Sequence, residues 1–297
     1  MTIKVGMVGL DTSHCPAFTG MLNDASNPYH VPGAQVVGAY PGGSAQFSNS
    51  RDRVEGFTGQ LRDEFGIQMY DSIPALVADV DAILLESVDG RQHLEQFQEM
   101  AVGKPVYLDK PFATTSSEAV EIACIAEHSG TPIMSCSSLR YAAGIVDLAQ
   151  GAEVLSCEAF GPAALLDDYP GLFWYGIHSA EMLFSFMGTG CQTARCIATP
   201  DVDVVVGEWD DGRIGILKGT RLAKGQFGCV VHTDQGTACS LALSTPPYYY
   251  GLMQQVVEFF KTRTSPIETQ ETIEIVAFLE AADASRAQGG AVVDLTK

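Results

Sequence analysis

Lys104-Pro105-Val106-Tyr107-Leu108-Asp109-Lys110-Pro111-Phe112 is the stretch on which the reading of the fold turns. Its apolar centre reads as a short buried strand, which places Lys110 just past that strand's carboxyl end. In an open parallel sheet, ligands bind in the crevice outside the carboxyl ends of the strands. A lysine there is a movable cation, able to hold a substrate hydroxyl or pass a proton. The competing reading is a surface lysine held between Asp109 and a rigid proline. The flanking sequence decides whether such a sheet exists.

Working back to the amino terminus, Ile3 to Gly9, Gln35 to Tyr40, Ile67 to Tyr70 and Val80 to Leu85 are short apolar runs, as expected of buried parallel strands. Helical segments alternate with them: Pro16 to Leu22, Arg51 to Phe65, one opened by Ser72-Ile73-Pro74, and His93 to Val102. Beyond the lysine, Thr115-Ser116-Ser117-Glu118 is a capping-box pattern that opens another helix, and Ile133 to Cys136 is a sixth strand. This alternation specifies an α/β, doubly wound parallel sheet over residues 1–136.

The pattern changes after Cys136. Ala142 to Gln150 reads as a helix, Val154 to Phe160 as a strand, 161–173 as a Pro-, Gly- and Asp-rich loop, and Trp174 to Met187 as a helix. Strands at 192–199, 203–209, 213–219, 226–232 and 237–243 then follow without helices between them, with Asp211-Gly212 and Asp234-Gln235-Gly236 as hairpin turns. Helices at Gly251 to Thr262 and Thr269 to Ala287 and a last strand at Val292 to Leu295 complete a second domain, 137–297, of α+β type with a mostly antiparallel sheet.

Composition narrows the function. A formal charge of −19 argues against nucleic acid and anionic membranes, whose phosphates need clustered Lys and Arg. No apolar run approaches the ~20 residues of a membrane span, and Met1 to Val5 enters a strand directly, so a cytoplasmic location is expected. The eight cysteines are scattered without a Cys-x-x-Cys pair and read as reduced thiols. No His, Cys and Asp set has local metal-ligand spacing, so no metal is expected.

The turn Gly9-Leu10-Asp11-Thr12-Ser13-His14 occupies the place of a Gly-x-Gly-x-x-Gly dinucleotide fingerprint, but only Gly9 of the three glycines is present. Asp11 either sets a carboxylate beside a diphosphate or caps the following helix, and capping is the expectation. The Thr12 and Ser13 hydroxyls suit a phosphate. The second strand ends in Tyr40-Pro41-Gly42-Gly43-Ser44, with no acid for ribose hydroxyls; Ser44 or Arg51 would suit a 2′-phosphate. Ser87 and Val88, in the loop after the fourth strand, lie at the same sheet edge, and His93 is expected to cap or pack. Arg140 faces either the crevice or a salt bridge at the domain interface. His178 is either a general acid or base or a packed helical histidine, and Asp167, Asp168 and Tyr169 are loop residues that either cover the crevice or are solvated.

Val5-Gly6-Met7-Val8-Gly9, Val80-Asp81-Ala82-Ile83-Leu84 with His93, Gly103 through Asp109-Lys110-Pro111, Arg140, Gly176-Ile177-His178 and the segment Val257 to Ser285 together resemble the glucose–fructose oxidoreductase, inositol dehydrogenase and rhizopine-catabolism superfamily (Gfo/Idh/MocA). The resemblance covers essentially the whole chain. It implies a Rossmann domain followed by a substrate domain with an open, mostly antiparallel sheet, and a nicotinamide, NAD or NADP, in an interdomain cleft. It implies Lys110 and His178 as catalytic residues and Gly9, Leu10, Thr12, Ser13, His14, Ser87, Val88, Asp109 and Lys110 on the cofactor. Arg140, Asp168, Tyr169 and Trp174 are the candidates for a sugar, inositol or polyol substrate. The family often carries an acid where this chain has Trp174. Homodimers or homotetramers through the open sheet are also implied.

Three functions follow: an NAD(P)-dependent oxidoreductase working by hydride transfer; a sugar-acid lyase, dehydratase or epimerase-like enzyme without hydride transfer, suggested by Asp11; and a non-catalytic sugar sensor. The first is the expectation carried forward.

Overall fold

The structure is a computed structural model, and it describes residues 2–222 and 224–295. The elements run β1 (Ile3–Val8), α1 (His14–Asn23), β2 (Ala34–Tyr40), α2 (Ser48–Arg51), α3 (Val54–Asp63), β3 (Gln68–Met69), α4 (Ile73–Asp79), β4 (Ala82–Leu85), α5 (His93–Met100), β5 (Val106–Leu108), α6 (Ser116–Ser129) and β6 (Ile133–Ser135). They continue with β7 (Val154–Pro162), α7 (Gly176–Met187), β8 (Cys191–Ala198), β9 (Val202–Trp209), β10 (Ile214–Thr220), β11 (Gly228–Thr233), β12 (Gly236–Leu241), α8 (Tyr248–Thr262), α9 (Thr269–Ala287) and β13 (Val293–Asp294).

The chain divides into two compact units. The first holds residues 1–113, 117–136 and 249–269, so most of α8 packs with the amino-terminal sheet. Its six strands, all parallel, lie in the order β3-β2-β1-β4-β5-β6, the doubly wound arrangement expected from the βα alternation. The central strands β4 and β5 are buried at every residue, because helices cover both faces of a parallel sheet. Tyr107 is fully buried there, and its hydroxyl donates to the Cys136 carbonyl at 2.8 Å, which satisfies the one polar atom of that side chain.

The second unit holds residues 114–116, 137–248 and 270–297. Its seven-stranded sheet runs β12-β11-β7-β10-β9-β8-β13. Every neighbouring pair is antiparallel except β7 with β10, which pair in parallel. Strand β9 alternates buried and less buried residues, the pattern of a sheet with one face packed. The packed face carries α7 and α9, with Phe184, Trp209 and Phe278 meeting at ring separations of 5.3 and 5.6 Å.

Several local expectations are corrected. Residues 144–151 form a run of turns rather than a helix, with Gly144 and Gly151 at positive φ and Gln150 also in the left-handed region. Those conformations cannot continue an α-helix. The helix read from Arg51 to Phe65 is two, broken at Asp52 and Arg53. The helix read from Trp174 begins at Gly176, after a single 3₁₀ turn at Gly171–Phe173. All eight cysteines are free thiols, six of them buried.

Candidate functional site

The carboxyl edge of the first sheet is assembled by the backbone ladder continuing one step beyond the strands. Gly9 N–H donates to Tyr40 O (3.0 Å), Glu86 N–H to Val8 O (2.7 Å) and Asp109 N–H to Leu85 O (2.8 Å). Residues far apart in sequence are thereby set side by side just past β1, β4 and β5. Gly9 sits at φ +85°, and a Cβ there would lie 2.2 Å from Ser87 Oγ, so only glycine lets the two turns touch. Gly42, also at positive φ, brings the turn after β2 against Gly9, and Leu10 N–H donates to Pro41 O at 2.7 Å.

Asp11 is not a helix cap. It is fully buried, and its carboxylate accepts from Val88 N–H (2.9 Å) and Ser50 Oγ–H (2.5 Å). Burial pushes its pKa up, and those two hydrogen bonds oppose the shift. The N-cap of α1 is Ser13, which makes no side-chain capping bond and is exposed. Thr12 Oγ1 instead accepts weakly from His14 N–H at 3.4 Å. The carboxylate that seemed to oppose a diphosphate is therefore taken up inside the fold. With glycine backbone on both sides of the turn and a hydroxyl at the helix mouth, this edge fits a dinucleotide.

At the far end of that turn, Ser44 Oγ donates to Asp89 Oδ2 at 2.7 Å, and Arg91 clasps the same carboxylate through Nε (2.7 Å) and Nη2 (2.9 Å). His93 begins α5 and is fully buried; its ring nitrogens lie 3.1 Å from Phe112 O and 2.8 Å from Ser87 O. That bridge ties the loop after β4 to the segment that follows Lys110.

Lys110 is 7% exposed, so it is not a surface lysine. Its Nζ lies 4.0 Å from Asp109 Oδ2. Asp109 in turn is 3.0 Å from His14 Nδ1, and Glu86 Oε2 is 3.4 Å from the same nitrogen. Burial works against charge on His14, but Asp109 and Glu86 together raise its pKa above the usual imidazole range. Burial and the Asp109 charge push Glu86 above the usual carboxylate range. For Asp109, burial is outweighed by the His14 and Lys110 charges, which hold it low. Glu86 is a residue that reading the sequence missed. Its signal was an acid directly ending the apolar run Ala82-Ile83-Leu84-Leu85.

In the second unit His178 lies in the first turn of α7, half-buried, with Nδ1 2.7 Å from Ser137 Oγ. Its ring meets Tyr175 and Phe227 edge-on at 5.7 and 5.5 Å, and Tyr175 continues through Trp174 (5.6 Å) to Tyr169 (5.8 Å). The structure thus brings Tyr169, Trp174 and His178 into one aromatic row and adds Ser137, Tyr175 and Phe227 to it. Asp168 is half-buried in the preceding loop. Arg140 is buried and ion-paired within this unit, to Glu181 through Nε and to Glu271 through Nη2.

The geometry agrees with comparisons to known proteins. Residues 3–136 match the model of an oxidoreductase family with an NAD-binding Rossmann fold, GFO_IDH_MocA. No curated protein matches the chain in sequence. Among solved structures it is similar to GenD2 from gentamicin A biosynthesis in complex with NAD, with a TM-score of 0.79 and 17% identity over 100% of this chain and 97% of that one. It is similar also to the Lactobacillus casei myo-inositol dehydrogenase in complex with NAD(H) and myo-inositol, with a TM-score of 0.78 and 14% identity over 100% and 98%. A putative myo-inositol dehydrogenase from Sinorhizobium meliloti aligns with a TM-score of 0.77 at 15% identity over 99% and 100%. At these identities the likeness is one of fold.

Proposed function

We propose that the chain, whose residues 3–136 match the GFO_IDH_MocA oxidoreductase family model, is an NAD(P)-dependent oxidoreductase acting on a secondary alcohol of a sugar, inositol or related polyol. The observation that carries this reading is a buried lysine just past β5, on the same sheet edge as a glycine-walled turn able to take a diphosphate. Gly9, Leu10, Thr12, Ser13, His14, Ser87 and Val88 would hold the dinucleotide, with Asp109 and Lys110 toward its reactive end. When bound, that group supplies a hydride acceptor at the nicotinamide ring.

The chain's own residues do the rest. Lys110 donates a hydrogen bond from its ammonium to the substrate's hydroxyl oxygen. In the second unit His178, its ring held by Ser137, is the candidate general base, since a general base needs a defined orientation. Tyr169, Trp174 and Tyr175 offer aromatic edges and faces to the C–H side of a ring polyol, and Asp168 offers an acceptor for its hydroxyls. Arg140, clasped by Glu181 and Glu271, acts on the substrate by holding this row in place. The exposed Leu155, Ile197, Ile214 and Leu241 on strands of the second sheet suit a homo-oligomer built through that sheet.

The test is a thermal-shift titration with NAD+, NADH, NADP+ and NADPH. At least one should raise the Tm by mass action, and a flat response to all four would sink the reading. Lys110→Met should then lower turnover on a polyol panel by about 10²-fold or more while leaving that dinucleotide-induced shift in place.

A further inference from the structure

We propose that His14, Glu86 and Asp109 form a binding site for one divalent first-row transition-metal ion at the carboxyl edge of the first sheet. The three side chains arrive from the turns after β1, β4 and β5, and their ligand atoms all lie within 4.8 Å of one another. His14 Nδ1 is 3.0 Å from Asp109 Oδ2 and 3.4 Å from Glu86 Oε2. Apart from these two ion-pair contacts, His14 Nδ1, Asp109 Oδ2 and both Glu86 carboxylate oxygens are buried without a geometrically satisfied hydrogen bond among the described residues. Buried polar atoms in folded proteins are nearly always hydrogen-bonded, so three buried ligand atoms converging on one point with so few hydrogen bonds call for an explanation.

The spacing supplies one. Two ligands each about 2.1 Å from a common ion stand roughly 3.0 Å apart at an octahedral angle and about 3.4 Å apart at a tetrahedral one. The two separations fall at those values, and 3.0 Å is also an ordinary N–H···O distance, so metal titration is what distinguishes a bound ion from an imidazole–carboxylate pair. One imidazole and two carboxylates suit Zn²⁺, Co²⁺, Mn²⁺ or Fe²⁺ better than Ca²⁺ or Mg²⁺, which prefer oxygen alone. A divalent ion also balances the two carboxylates, which lie beside the His14 ring, with the Lys110 ammonium 4.0 Å from Asp109. The His14 ring is held for this task, stacked on Phe18 at 5.1 Å and met edge-on by Tyr249 at 4.9 Å. Every ligand and supporting ring belongs to the first unit, and because His14 and Asp109 are also assigned to the proposed dinucleotide site, metal binding is measured with no dinucleotide present.

Full-length protein stripped with a chelator and dialysed should bind one equivalent of Co²⁺ or Zn²⁺ per chain by calorimetry. Bound Co²⁺ should show d–d absorption, and the Tm should rise with metal concentration. His14→Gln should weaken binding at least 100-fold, and Glu86→Gln should do the same through a different loop. A Cys124→Ser, Cys239→Ser double variant, which removes the two exposed thiols, should bind as wild type. Far-UV circular dichroism and the metal-free Tm establish that each variant is folded; should His14→Gln fail to fold, the Glu86→Gln titration decides alone. Absence of stoichiometric binding by wild type would overturn the site and leave a protonated imidazole between two carboxylates in its place. Binding that survives both ligand substitutions would overturn it equally. A dinucleotide thermal shift measured on the same stripped protein reports separately on the proposed oxidoreductase.

Discussion

The two units treat buried charge in opposite ways. At the carboxyl edge of the first sheet, Glu86, Asp109 and His14 are buried with ligand atoms that make no hydrogen bond. In the second unit Arg140 is just as inaccessible, yet it is held by two carboxylates at once. The paired network does structural work: it allows the buried Glu181 to sit inside α7, a helix that is otherwise mostly apolar. The unpaired cluster costs the fold stability, and such costs persist where they serve binding or chemistry. Between these two clusters, satisfaction of hydrogen bonds rather than the presence of charge is what differs.

The largest effect expected from that contrast is at Arg140. Removing one partner of a buried ion pair strands the other, so Arg140→Ala should cost about 3–5 kcal/mol in urea unfolding. A loss below about 1 kcal/mol would show that the network is not structural and return Arg140 to the substrate. Asp11 sharpens the comparison from the other side, as a residue of the active edge that is fully paired. Asp11→Gly restores the second fingerprint glycine, yet it strands Val88 N–H and the Ser50 hydroxyl. It should lower stability by about 2–3 kcal/mol and not tighten dinucleotide binding. Tighter binding at unchanged stability would mean that Asp11 is an obstacle after all.

The second unit contains an acid that departs from its own rule. Asp283 accepts from Leu172 N–H at 3.2 Å, and burial, reinforced by Asp203 and opposed by that bond and Arg286, raises its pKa to about 6. The folded state then holds a proton that the unfolded chain has released, so stability falls as pH rises from about 4 to about 6. Asp283→Asn keeps an acceptor for Leu172 and has no proton to lose. Its stability relative to wild type should improve by about 1–2 kcal/mol between pH 4 and pH 7.5, read from urea midpoints. A pH-independent difference would show that the carboxyl group titrates normally.

How much of this was legible beforehand follows from the range of each interaction. The parallel sheet was legible because its signal is local: short apolar runs alternate with helical segments, and each βα unit announces itself. Lys110 was legible because a strand end and a lysine are adjacent in sequence. The turns at 144–151 were misread because Ala142 to Leu148 has helical composition while Gly144 and Gly151 take positive φ. Asp11 was misread as a cap because its partners, Ser50 and Val88, lie 39 and 77 residues away. The His14 cluster was invisible to ligand spacing for the same reason, since its members join only when β1, β4 and β5 become neighbours. Knowing the strand order converts these ends into one edge, and the acid ending β4 then stands out.

The smallest expected effect tests the contrast most directly, because its sign is unusual. Glu86 is fully buried, and neither carboxylate oxygen has a hydrogen-bond partner. Glu86→Gln preserves shape and removes the charge that burial penalises. Most substitutions of a buried side chain destabilise, by about 1 kcal/mol on average. Here the metal-free variant should be as stable as wild type or more stable by up to about 1 kcal/mol, because the burial penalty on the Glu86 charge outweighs its contact with the His14 ring at 3.4 Å. The measurement is urea unfolding in the presence of chelator, set beside Arg140→Ala under the same conditions. A loss of 2 kcal/mol or more would show that Glu86 has strong partners in the fold, as Arg140 does, and the distinction between the two units would fall. A neutral or positive value, coupled to loss of metal binding in the same variant, would show that stability is given up at this edge for the sake of a ligand.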